Sequence, residues 1–121
     1  MHKQWRLKRR NDFKKVYTNG KSIANRTLVL YLRSNSDVDE YRFGISVSKK
    51  IGKAVVRNRV KRLIKEAIRS IIRKYSIKKN IDVVIIARKP VIDLEFAQVE
   101  SSVEHLFRKM KLIDKKIEER K

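Results

Sequence analysis

Residues 46–69 read SVSKKIGKAVVRNRVKRLIKEAIR, and this stretch turns a short apolar run into a helix whose solvent face is almost wholly cationic. On a helix spanning Val55 to Arg73, Val56, Val60, Leu63, Ile64, Ala67 and Ile71 recur at the i, i+3/i+4, i+7 spacing of a core-facing stripe. Asn58, Arg62, Lys65 and Arg69 follow the same rule on the opposite side, flanked by Arg57, Arg59 and Lys61 near the helix start. An ordinary solvated face mixes signs, whereas Glu66 is the only acid between Val55 and Arg73. The expected object is a cationic ridge on an amphipathic helix, and a ridge of one sign suits a polyanion.

Outward from this helix, 121 residues suit one domain with one core. The basic ends, 1–8 and 112–121, read as flexible. Lys and Arg number 33 against 13 Asp and Glu, a formal charge of +20 that favours phosphate backbones as counterions. Hydrophobic residues make up 41% of the chain in periodic runs, so a folded core is expected instead of a disordered basic tail. With no cysteine, the chain has no disulfide staple, thiolate nucleophile or cysteine-based zinc site, a composition that fits a reducing cytoplasm. The segment MHKQWRLKRR carries no apolar signal core, and no window approaches the roughly 18 apolar residues of a membrane span. The expectation is a soluble, cytoplasmic protein with no membrane attachment.

Three glycines and one proline leave little room for long loops. A first helix is expected from about Asn11 to Thr18, with Phe13 and Tyr17 on one face. It ends at Asn19-Gly20, a pair suited to left-handed geometry at a helix C-terminus. In the strand Arg26 to Arg33, Leu28, Leu30 and Leu32 alternate with residues that include Tyr31, which therefore faces away from the leucines. A polar turn leads to a second strand, Tyr41 to Ser48, with Phe43, Ile45 and Val47 inward. Arg42, Gly44, Ser46 and Ser48 lie on its other side and read as a groove floor that lets a ligand backbone come close. Asp82 to Ala87 is an apolar run suited to an interior strand, and a last helix spans about Phe96 to Lys111. The class is α+β.

Catalytic chemistry is not encoded in this pattern. His2 and His105 have no neighbour that would make a dyad, and Asp82, Asp93 and Glu95 show no metal-ligand spacing, so they read as capping and solvating groups. Gly52-Lys53 lacks the remaining elements of a phosphate-binding loop. The expected catalytic and metal residues are therefore none. Phe13, Tyr17 and Tyr31 offer stacking faces for single-stranded RNA, although Phe13 reads equally well as core. Trp5 is compatible with a docking contact and with disorder.

These residues carry a resemblance. Arg57-Asn58-Arg59 followed by Lys61 and Arg62, GISVSKKIG at residues 44–52, SIANR at 22–26 and IIARKP at 85–90 stand in the order found in the protein subunit of bacterial ribonuclease P, which the chain resembles over most of its length. Lys53 departs from the family, where Asn is frequent as a helix cap; its loss costs at most about 1 kcal/mol. The resemblance implies a single-domain α/β sandwich of the ribosomal-protein-like kind. Its sheet is four-stranded and mainly antiparallel, its three helices stand in the order αβββαβα, and it has a left-handed βαβ crossover, against the right-handed rule met in about 98% of cases. It further implies a cleft for the 5′ leader of precursor tRNA at Phe13, Tyr17, Tyr31, Ser46, Arg57 and Asn58. The catalytic RNA subunit would meet Lys49, Lys50, Arg59, Lys61, Arg62, Lys65 and Arg69.

On this reading the chain is the accessory subunit of a ribonucleoprotein endonuclease. Mg²⁺ is held mainly by the RNA, the partners are ribonuclease P RNA and precursor tRNA, and no obligate protein partner is implied. Two other classes share the composition: a small basic ribosomal protein, and a module whose basic helix binds anionic membranes or an acidic partner.

Overall fold

The computed structural model describes residues 5–116. Helix α1 (Arg10–Asn19) leads to strands β1 (Lys21–Ala24), β2 (Leu28–Ser34) and β3 (Tyr41–Ser46), then to helix α2 (Ala54–Lys74). Strands β4 (Tyr75–Ile77) and β5 (Ile81–Ala87), helix α3 (Phe96–Lys109) and strand β6 (Ile113–Lys116) complete the order.

The main sheet runs β1-β2-β5-β3. Its β1–β2 and β2–β5 pairs are antiparallel and β3–β5 is parallel, so β3, α2 and β5 form the crossover unit of a mixed α+β fold. Period-two alternation divides the sheet into two faces. Leu28, Leu30, Phe43, Ile81, Val83 and Ile85 enter the main core, against Val60, Ile64, Ala67, Ile68 and Ile71 of α2 and Val99, Val103, Leu106 and Phe107 of α3. Phe43 and Phe107 stack there at 5.8 Å between centroids. The opposite face holds a smaller cluster of Leu7, Val16 and Val84, joined by Phe13, Tyr31 and Ile86, beneath α1.

The helices match the sequence bounds to within two residues, but several local expectations change. The strand expected from Arg26 is β2, which begins at Leu28. The reason is that the Asn25 side-chain oxygen accepts from the backbone N–H groups of Thr27 (3.0 Å) and Leu28 (2.9 Å), which bends 25–27 into a turn. The strand that this turn pairs with β2 is Lys21–Ala24, where two adjacent apolar residues, Ile23 and Ala24, give no visible alternation. Gly20 is extended, with φ −93°, and not left-handed. A side chain there would collide with the carbonyl oxygens of Val16 and Leu32, so close approach is what calls for glycine.

The flexible ends shrink as well. Leu7 is buried, its N–H donates to the Phe43 carbonyl at 2.9 Å, and Arg6 bridges to the β3 edge. Trp5 packs on Tyr41 at 5.1 Å. At the other end Leu112 is buried and β6 pairs with β4 in a second, two-stranded sheet absent from the expected order. The run KLIDKK at residues 111–116 has too few apolar residues to show that pairing in advance. His2, the remainder of the basic lead and the last five residues lie outside the described residues.

Asp82 corrects another expectation. It is fully buried and no solvating group: it accepts from Arg42 Nε (2.8 Å) and Nη2 (2.9 Å), Asn35 (2.9 Å) and Arg33 (3.2 Å). Burial pushes its carboxyl upward, but hydrogen bonds from Arg42 and Asn35 and the charges of Arg42 and Arg33 outweigh that and leave it below the ordinary carboxylate range. Glu95, by contrast, keeps its capping role through a reciprocal capping box with Gln98 at the start of α3.

Candidate nucleic-acid interface

Helix α1 crosses the sheet face that α2 and α3 leave open, and the aromatic side chains meet along its flank. The Phe13 and Tyr17 rings, one turn apart, have centroids 6.5 Å apart, and the Tyr17 ring meets Tyr31 of β2 edge-on at 5.1 Å. Tyr17 remains 38% exposed, enough to offer a ring to a ligand. Its hydroxyl is directed to the side chain of Ser46 at the end of β3. Burial raises the Tyr17 phenol above its ordinary value, the nearby Ser46 side chain opposes that and Tyr31 adds to it, so the hydroxyl stays protonated at neutral pH. Four of the six expected cleft residues, Phe13, Tyr17, Tyr31 and Ser46, are thus brought together.

Phe13 is half-buried and takes both parts that the sequence left open: it packs on Leu7 and Val16 while its ring lies over Gly44. The space above Gly44, expected as groove floor, is therefore filled by the protein's own ring. The Arg42 guanidinium is likewise taken up within the protein, by Asp82.

Beyond Ser46 the chain makes a short 3-10 turn at Lys49–Ile51 and enters α2 at Ala54, which sets Arg57 and Asn58 in the first turns of that helix. Arg57 is half-buried and its Nε donates to the Gly52 carbonyl at 3.1 Å, while Asn58 is exposed. Lys49, Lys50, Lys61, Arg62 and Arg69 are exposed. Arg69 pairs with Glu66 at 3.1 Å. Lys61 and Lys65 join Arg6, Leu7, Phe13 and Gly44 in lining one cleft of about 160 Å³, which connects the cationic helix to the aromatic face.

Arg59 departs from the row. Its guanidinium donates to the carbonyl oxygens of Ile92 and Leu94, at 3.3 Å each, and ties α2 to the turn before α3. Sequence spacing placed it among the outward cations because position on a helix does not show what a long side chain reaches.

Among the described residues no group of three or more His, Asp or Glu side chains comes together that fits a metal ion. What the surface offers is stacking, hydrogen bonding and positive charge. The ribonuclease P family model matches residues 1–111. The chain belongs to the ribonuclease P protein family. It is similar to the ribonuclease P protein component of Bacillus velezensis, with 50% identity over 115 residues that cover 95% of this chain and 97% of that protein. The component from Staphylococcus epidermidis is 45% identical over 117 residues, 97% and 99% of the two chains.

Structures agree with this ribonuclease P assignment. The Staphylococcus aureus RNase P protein superposes with a TM-score of 0.81 at 38% identity, covering 91% of this chain and 98% of that one. The Thermotoga maritima RNase P protein gives 0.74 at 33% identity, covering 86% and 96%. The protein is thus a component of an endoribonuclease of tRNA processing, and the ribosomal and membrane-module alternatives lose their ground. No helix among the described residues is long and apolar enough to cross a membrane.

Proposed function

We propose that the protein binds the catalytic RNA of ribonuclease P through the cationic face of α2 and holds the single-stranded 5′ leader of precursor tRNA in the cleft between α1 and the sheet. In the cytoplasm this promotes endonucleolytic removal of the leader and gives the mature tRNA 5′ end. The observation that carries the reading is the aromatic line Phe13–Tyr17–Tyr31, with Tyr17 exposed, beside a cleft whose far wall is Lys61 and Lys65. Unstacked bases bind aromatic faces, and cations track the backbone that joins them.

The chain's own contribution is binding. Two polyanions repel, and lysine and arginine at their junction relieve that repulsion with release of counterions. Contacts to the leader exist for precursor and vanish for product, so they raise affinity for substrate alone and favour turnover. Arg57 and Asn58, in the first turns of α2 after β3, are assigned to the leader backbone. Lys49, Lys50, Lys61, Arg62, Lys65 and Arg69 are assigned to the RNA subunit, and Arg59 supports them from within the fold. Mg²⁺ supplies the hydrolytic chemistry when bound to the RNA; the described side chains form no cage that fits it.

The test is reconstitution. Purified protein is mixed with a bacterial ribonuclease P RNA at low Mg²⁺, and cleavage of an end-labelled precursor is followed. The expected result is faster release of the intact leader, with no cleavage by protein alone. No acceleration of an RNA that is active by itself at high Mg²⁺ would contradict the proposal.

A further inference from the structure

Helix α1 carries Phe13 and Tyr17, so whatever fixes α1 on the sheet also fixes the cleft. Its apolar anchorage is small: Val16 is the one fully buried residue of the helix, packed with Leu7 and Val84. These side chains, with Phe13 over Gly44 and Tyr31 beside it, hold the helix against the sheet, but apolar attraction by itself has no direction.

A charge contact adds to it. Arg42 projects from β3 toward α1, and its guanidinium is gripped from behind by Asp82 through Nε at 2.8 Å and Nη2 at 2.9 Å. Asp82 is itself held by Asn35 and Arg33, with no exposure of its own. A guanidinium bound at two nitrogens to a buried carboxylate keeps its plane. Its remaining nitrogen, Nη1, faces Asp12 of α1 at 3.7 Å. Asp12 lies in the first turn of α1, next to Phe13 and five residues before Tyr17.

We infer that Asp12 and Arg42 are specificity-determining positioning residues: Arg42, locked by Asp82, holds α1 through Asp12 so that Phe13 and Tyr17 stand where the leader passes. The inference rests on the leader-cleft reading. It explains why a chain of charge +20 whose partners are polyanions keeps a carboxylate beside its binding cleft. It also sets a sign that plain electrostatics opposes. Removing an acid strengthens RNA binding in general, whereas loosening α1 weakens binding of the leader alone.

The experiment uses the reconstituted holoenzyme and equilibrium dissociation constants for a precursor with its leader and for the mature tRNA. In Asp12→Asn the preference for precursor falls about threefold, within the roughly fivefold that a partly exposed ion pair supports, while mature tRNA binds as well or better. Asp12→Glu restores most of the preference, and Arg42→Lys, which keeps charge but loses the two-point grip, lowers it. In a background carrying both Phe13→Ala and Tyr17→Ala, Asp12→Asn has no further effect, because the rings it places are gone. An unchanged preference in Asp12→Asn, or a full threefold loss on top of the double ring removal, overturns the positioning role and leaves the cleft intact. If removal of both rings leaves the preference unchanged, the leader cleft fails and this inference falls with it.

Discussion

Phe13 lies so close over Gly44 that a β-carbon at Gly44 would stand 2.6 Å from two of its ring carbons. Helix and sheet are therefore fitted to each other through the absence of one side chain. Gly44→Ala forces the ring outward and lifts the first half of α1, a small-to-large change expected to cost about 1–3 kcal/mol of stability. It should also weaken precursor binding more than mature tRNA binding. Chemical denaturation and the two affinities check both effects; unchanged stability would mean that α1 shifts freely to accommodate the methyl group.

Arg59 and Arg62 are three residues apart in the cationic segment, yet their substitution should separate cleanly. Arg59 donates to the carbonyl oxygens of Ile92 and Leu94, so Arg59→Ala is expected to lose about 1 kcal/mol of stability. Arg62 is exposed, and Arg62→Ala should leave the melting temperature unchanged. Its effect falls on the RNA subunit: lower affinity and a log–log salt slope flatter by about 0.7–0.9 for each phosphate that the side chain no longer neutralises. An unchanged slope would remove Arg62 from that interface.

Asp82 predicts an acid limb in stability. Its carboxyl lies below the ordinary range in the fold and near about 3.9 in the unfolded chain. The stabilisation it provides is therefore complete above the unfolded value and is lost as pH falls through the lower folded one. Asp82→Asn should cost about 3 kcal/mol at pH 7, since it leaves Arg33 and Arg42 without their buried counter-charge. The gap to the parent protein should hold down to about pH 5 and narrow below about pH 4. Urea unfolding across that range measures it, and a gap independent of pH would mean that charge is not what Asp82 contributes.

The helices and the long strands were legible because each has a face that must be buried: the stripe from Val60 to Ile71 and the Leu28–Leu30–Leu32 alternation carry their periods openly. The side on which Tyr31 meets Tyr17 was legible for the same reason, since Tyr31 had to point away from the leucines. Lys21–Ala24 and Ile113–Lys116 were not, because each is four residues long with no apolar–polar alternation, and long-range pairing alone makes them strands. Nor was the cluster at Asp82. An acid inside an apolar strand shows where a partner is needed but not that Arg33, Asn35 and Arg42, 40–49 residues earlier, supply it. The roles of Arg59 and Gly44 belong to the same class, set by what the folded neighbours reach.

If the α1 cleft reads the leader, removal of its rings shows in the affinity of holoenzyme carrying Phe13→Ala with Tyr17→Ala for precursor and for mature tRNA. Base stacking on an aromatic ring is worth about 1–3 kcal/mol, so precursor binding should weaken at least about tenfold while mature tRNA binding stays nearly constant. An equal loss for both ligands would contradict the account, because it would place these rings in the grip on the tRNA body or in the fold, and not on the leader.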